Sequence, residues 1–323
     1  MSNAKQQAES EPTPEFNQRC IAVLRRWEGG DLPFKEALAQ LTTLSQRADA
    51  AGETVNQGRA EQLLAYIQHY RGNLDESIYH NKRARTLYHR AGNLRRVGII
   101  DLNQGENYRF KGDFIHAQHL YQSAQRISEK LEDTGSLTLA TVNEGLILLA
   151  MGDNAAAYRA FQKGLALAAQ YPQDNEIQQQ TYRRLMSEIR HGLAVIYLRE
   201  NNVAGAWEEA TSALKLAERT GDAILSGYAY RTIGEVLTAL DQPPEGDYSA
   251  DPDDYFRAAL DSFRSLDAEA EIARTMYAQA LSLAARGRRN TAARKLQHVM
   301  IMFERLGMVD DANRAAQAQR DVT

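Results

Sequence analysis

Residues 103–113, NQGENYRFKGD, return forty residues on as NEGLILLAMGD at 143–153, with Asn, two Gly and the closing Asp in matching places. A chain that writes one spacing again at a fixed interval is a row of like units, each covering the apolar face that its neighbour leaves open. The match continues downstream. Gly112 and Asp113 are followed by Ala117, Tyr121 and Ala124, and Gly152 and Asp153 by Ala157, Phe161 and Gly164. Small, aromatic, small at steps of four and three is one face of a helix, whose small positions admit a neighbouring helix while the ring fills the gap. A glycine inside a helix costs about 1 kcal/mol relative to alanine. Gly105 and Gly145 therefore predict an offsetting close helix contact.

Further copies are LLAYIQHYRGN at 63–73, GLAVIYLRENN at 192–202, TIGEVLTALDQ at 232–242 and AQALSLAARGR at 278–288, with a weaker first copy ending at Gly30 and running through Ala37, Leu41 and Leu44. The turn positions Gly72, Gly112, Gly152, Asn201, Asp241 and Gly287 lie 40, 40, 49, 40 and 46 residues apart. Proline placement agrees, because an interior helical proline costs about 3 kcal/mol. Of seven prolines, Pro12 and Pro14 lie in a polar leader, and Pro172, Pro243 and Pro244 in loop-like stretches. Pro33 and Pro252 open helical patterns, and Asp251 is placed to cap the helix that Pro252 begins.

A glycine in the first helix, Gly-Asp at the turn, then Ala, aromatic and Ala resembles the tetratricopeptide repeat over nearly the whole chain. The period is nearer forty than the family's usual spacing of about 34, and the early tryptophan is missing; the longer period is similar to the repeat region of MalT-type bacterial transcription activators. The resemblance implies an all-α, right-handed α-solenoid of about seven helical hairpins. The expected boundaries are a disordered leader over 1–14, then one domain over 15–323 with hairpins near 15–51, 53–92, 94–133, 135–171, 174–220, 222–267 and 268–306, and a capping helix at 308–321.

Composition narrows the function. A formal net charge of −4 gives no global attraction to nucleic acid or an anionic membrane. The single cysteine, Cys20, allows no internal disulfide and no Cys/His zinc pattern. Neither a signal peptide nor an apolar span is readable, which predicts a soluble cytoplasmic protein. There is no phosphate loop, G-x-S-x-G or H-E-x-x-H, so the reading is non-enzymatic, with no cofactor and no metal. Three weaker features are structural on their bland reading. His116 and His119 share a helix face but have no third ligand; the acidic 241–254 lacks a calcium-loop ladder; and the basic 80–96, with six Lys or Arg, reads as an outer charged face.

In tetratricopeptide proteins the first helices of successive hairpins line a groove. Projected here, that lining comprises Arg59, Gln62, Tyr66, His69, Asn103, Glu106, Arg109, Asn143, Arg231, Glu235, Arg274 and Tyr277. Asn103 and Asn143 are equivalent, and in family members an asparagine there grips the main chain of a bound peptide. A carboxamide suits the task because it donates and accepts at once; equally, asparagine merely tolerates a wet helix face. Leu146 and Leu149 imply an apolar floor on the third hairpin. The expected function is an adaptor that binds an extended peptide or partner segment. The alternative is a sensory module of a bacterial signalling or transcription system that takes a small effector or another domain.

Overall fold

The computed structural model describes residues 11–240 and 248–323. Residues 241–247, the first half of the acidic stretch with Asp241, Pro243 and Pro244, lie outside the described residues, as do residues 1–10. The described residues form fifteen helices and no strand: α1 Pro14–Glu28, α2 Phe34–Ala50, α3 Thr54–Arg71, α4 Leu74–Arg90, α5 Leu94–Phe110, α6 Phe114–Lys130, α7 Thr134–Ala150, α8 Asn154–Ala168, α9 Glu176–Arg199, α10 Val203–Thr220, α11 Ala223–Ala239, α12 Pro252–Ser265, α13 Glu269–Ala285, α14 Arg289–Arg305 and α15 Val309–Val322. The fold is an all-α solenoid of helical hairpins. It falls into two compact units, residues up to Asn143 and residues from Glu144, divided inside α7.

The turn chemistry explains the repeated Gly-Asp. Gly112 and Gly152 adopt φ of 79° and 86°, a left-handed conformation that a side chain would strain. The following Asp then caps the next helix: Asp113 accepts from the His116 amide at 3.2 Å, and Asp153 from the Ala156 amide at 2.9 Å. Asn201 takes the same conformation at φ 59° in a turn with no glycine, which asparagine tolerates better than most residues.

In the first unit, α3 packs on α4 and α5 on α6; a glycine faces a bulky side chain at one level of the first hairpin and at two levels of the second. A Cβ on Gly58 would sit 3.1 Å from Tyr88, and one on Gly98 3.2 Å from Ile127, whereas one on Gly105 would overlap the Tyr121 ring. Tyr88 and Tyr121 are fully enclosed, each contributing about 3 kcal/mol of apolar burial. Asn81 occupies the place in α4 that Tyr121 holds in α6. It is completely buried, and neither its amide nitrogen nor its oxygen has a partner. Residues 11–13, read as part of the leader, are docked: Glu11 pairs with Arg96 at 2.8 Å, and the Thr13 amide donates to Asn56 at 2.9 Å.

The second unit repeats the scheme. Phe161 of α8 lies against Gly145 and would be overlapped by a Cβ on Gly192 of α9, so one ring seals both its own hairpin and the next. A Cβ on Gly234 would sit 3.0 Å from the Phe256 ring and one on Gly227 would overlap the Phe263 ring, and these two close approaches hold α11 antiparallel to α12. Pro252 is the first residue of α12, capped by Asp251. The last helix, α15, packs on α14 and α13 through Ala312 and Ala315.

Odd-numbered helices also touch the next odd-numbered one: α1 touches α3 and α3 touches α5 in the first unit, and α9, α11, α13 and α15 touch in series in the second. Within each unit these helices form one wall; of the residues projected from the sequence, all but Asn143, which lies on α7, are on a helix of it.

Candidate partner-binding wall

In the first unit much of the wall is internally bonded. Arg59 and Gln62 are buried; the Arg59 guanidinium donates to Asn17 of α1 at 2.9 Å and to Gln62 at 3.0 Å, and the Tyr88 hydroxyl donates to Gln62 at 3.2 Å. Their polar atoms are spent inside because α1 crosses α3 at this point. Tyr66 donates to Glu28 at 3.2 Å and meets Trp27 edge-on, with ring centroids 6.1 Å apart. His69 is stacked on Phe110 at 4.5 Å and joined through Nδ1 to Asn107 at 2.8 Å.

Glu106 is held in a cage. Arg109 pairs with it at 2.7 Å, and the Tyr121 hydroxyl donates to the same carboxylate. Burial pushes the Glu106 carboxyl up, but the Arg109 charge and these hydrogen bonds outweigh it and hold the group below its ordinary value. Burial, then the Glu106 charge, raises the Tyr121 phenol well above 10. Asn103 is half-buried and Asn143 is buried, and neither carboxamide makes a side-chain hydrogen bond among the described residues.

The second unit carries an ion chain. Arg231 of α11 and Arg274 of α13 both bind Glu271, at 2.7 and 2.9 Å; Arg274 continues to Asp311 of α15 at 2.9 Å, and Asp311 also binds Arg314. Glu271 is 1% exposed. Burial raises its carboxyl, but Arg231 and then Arg274 bring it down to about 2. Tyr277 is half-buried with its ring edge-on to Phe303. Glu235 is half-buried on α11 and takes part in no hydrogen bond or ion pair among the described residues; burial raises its carboxyl, and Arg231 and Arg199 only partly oppose that.

Glu271, Asp311, Arg314 and the Tyr121 hydroxyl were not singled out in the sequence. A usable signal was present, since partners on successive odd helices lie about one period apart. Arg231 and Glu271 are 40 residues apart, His69 and Asn107 38, and Arg274 and Asp311 37. Opposite charges or matched polar groups at that interval are what to search for.

The weaker features resolve as structure. His116 is bonded to Asp113 at 2.7 Å and stacked on Tyr108. In the described part of the acidic stretch, Asp251 caps α12, Asp253 pairs with Arg286 at 3.0 Å and Asp254 accepts from Ser249 at 2.6 Å. Of the six basic residues between 80 and 96, Arg83, Arg85, Arg95 and Arg96 pair with Glu61, Asp101, Asp133 and Glu11. Lys82 and Arg90 line an open cleft of about 420 Å³ on the outer side of α4. Among the described residues no cluster of three His, Cys, Asp or Glu is placed to hold a metal, and no helix is long and apolar enough to cross a membrane.

Stacked hairpins with a polar first-helix wall define a tetratricopeptide-like helical-repeat fold. No protein-family model matches the chain, and no curated protein matches it. Solved structures do. A Rap protein complexed with competence and sporulation factor superposes with a TM-score of 0.67 at 16% identity, over 90% of this chain and 74% of that one. The apo form of RapI gives 0.55 at 11% identity, over 94% and 99%. The Rap conjugation gene regulator of plasmid pLS20, in complex with the Phr* peptide, gives 0.58 at 13%, over 85% and 77%.

Proposed function

We propose that this chain is a non-catalytic interaction adaptor whose odd-helix wall binds an extended peptide or partner segment. The observation that carries the reading is the state of Asn103 and Asn143. Both occupy the same place in the repeat, both are at least half-buried, and neither carboxamide has a side-chain hydrogen bond among the described residues. Neither carboxamide is among the fully buried polar atoms that lack a partner, so both remain open to an incoming group and have no side-chain bond to give up among the described residues. Asparagine at two equivalent positions, free of side-chain hydrogen bonds among the described residues, can give a peptide main chain a donor and an acceptor at once. Two solved structures of the same fold hold peptides, a Rap protein with competence and sporulation factor and the pLS20 regulator with Phr*. Their identity to this chain is too low to carry over a ligand.

A regulatory role is the second reading. It is favoured by the period near forty residues, which is closer to the MalT-type repeat region than to the shorter family spacing. In that case the wall takes a small effector or another domain of a bacterial signalling system. Thermal shift against peptide and small-molecule panels separates the two, because a binder of the native state raises the melting point by mass action. In the adaptor reading a peptide hit weakens at least tenfold on Asn103→Ala with Asn143→Ala, while the helical circular dichroism is unchanged. Unaltered peptide affinity in that double variant would remove the reading.

A further inference from the structure

Glu106 and Glu235 occupy the same position of the repeat, each immediately after the helical glycine that receives the aromatic ring, Gly105 and Gly234. Their surroundings differ in two residues. Three positions on from Glu106 stands Arg109, which pairs with it, and the ring against Gly105 is Tyr121, whose hydroxyl donates to it. Three positions on from Glu235 stands Thr238, and the ring against Gly234 is Phe256, which has no hydroxyl. Thr238 turns its hydroxyl to Gly234 and Ser282 instead. Both internal partners of this carboxylate have therefore been removed while the carboxylate has been kept.

The cations nearest Glu235 are already committed. Arg231 binds Glu271 at 2.7 Å and lies over Tyr228 and Phe263, and Arg199 of α9 donates to the Leu149 carbonyl at 2.6 Å. Glu235 is half-buried beside cations that are already engaged, so an incoming cation meets a carboxylate that is partly shielded from water and makes no ion pair among the described residues. We propose that Glu235 is the docking point for a cationic group, a lysine or arginine side chain or a terminal ammonium, of the segment bound along the second unit's wall. This rests on the groove reading above and adds the chemistry of the partner.

The test is selection of ten-residue peptides from a random displayed library on the full chain, with affinities then measured for synthetic copies carrying free and acetylated N-termini. Two variants remove the free charge by opposite routes. Glu235→Gln deletes it, and Thr238→Arg supplies the internal partner that Glu106 has. The expected result is enrichment of Lys or Arg at one register, or a requirement for the free amine, with binding about 10- to 100-fold weaker in both variants. The free and acetylated forms tell which cation docks. Enriched peptides with no basic residue and no need of a free terminus, or affinities unmoved by either variant, overturn the assignment and leave the groove reading standing. Failure to enrich any peptide overturns the groove reading and this assignment with it. Loss of binding in Thr238→Arg alone, with Glu235→Gln unaffected, marks steric blockage and overturns the assignment.

Discussion

The ion chain of the second unit gives the sharpest quantitative test of the packing. In Glu271→Gln the side chain keeps its shape and much of its hydrogen bonding, but Arg231 and Arg274 lose the charge that both of them share. The Glu271 carboxyl is held at about 2 against an ordinary 4.5. That difference, at about 1.4 kcal/mol per unit, is about 3 kcal/mol of stability in the charged form. It is of the size found when one partner is removed from a buried pair. The folded carboxyl lies below the unfolded one, so this stability is fully present above pH 4.5 and drains away as pH falls toward 2. Urea unfolding followed by circular dichroism at pH 7 should therefore place Glu271→Gln about 3 kcal/mol below the wild type. Heat should unfold it about 6–12 °C earlier for a unit of this length, with faster hydrogen exchange in α11 and α13. Repeated between pH 4.5 and 2, the gap should close, because the wild-type carboxyl becomes as neutral as the amide. A deficit under about 1 kcal/mol at pH 7, or one that holds constant down to pH 2, would refute the account of the chain.

Other consequences follow from the seals and the buried groups. Gly105→Ala should destabilise by about 1–2 kcal/mol, because the overlap with Tyr121, whose hydroxyl is tied to Glu106, exceeds the helix-propensity gain; Gly145→Ala, where Phe161 lies at 3.0 Å, should stay within about 1 kcal/mol of the parent by denaturant titration. Asn81→Leu should stabilise by about 1–3 kcal/mol, since it removes two buried unpaired polar atoms at a position where Leu41 and Leu296 serve elsewhere; a loss of stability in the same titration would show that Asn81 has a partner in solution. Cys20 is fully enclosed and its thiol is pushed up to about 11 by burial, against a smaller opposing effect of Arg59, so at pH 8 a thiol reagent should label it only as fast as the first unit opens.

The hairpins were legible because each is specified locally. Gly112 with Asp113 closes one helix and caps the next inside six residues, and Gly105 with Tyr121 sets a contact only sixteen residues apart. The charge network was not legible, because its bonds join one repeat to the next. Glu271 looks like an ordinary first-turn acid of α13 until Arg231, forty residues earlier, is placed beside it. Arg59 and Gln62 look like wall residues until α1 brings Asn17 across them. Glu11 lies 85 residues from Arg96, so its docking has no local signature at all. The division at Asn143 falls inside a continuous helix, where neither composition nor a turn residue marks it.

The same distinction predicts how the twelve wall residues sort when each is mutated. A residue whose polar atoms already have partners must surrender them before it can grip a peptide, and for Arg231 or Arg274 that means giving up bonds to a carboxylate stabilised by about 3 kcal/mol. A typical peptide hydrogen bond returns only about 1 kcal/mol net. Such residues hold the wall in shape and contribute little to affinity. Asn103, Asn143 and Glu235 surrender no side-chain hydrogen bond or ion pair among the described residues. Truncation to alanine should therefore divide the wall into two groups with opposite readouts. Arg231→Ala and Arg274→Ala should lower the unfolding free energy by about 3 kcal/mol, while changing peptide affinity little in the protein that remains folded. Asn103→Ala, Asn143→Ala and Glu235→Ala should leave stability level or slightly raised and lower affinity. Paired denaturation and peptide-binding measurements on the five variants decide the matter. If affinity falls most for the arginines, the ion chain itself is the binding element and internal satisfaction is the wrong criterion for finding the site.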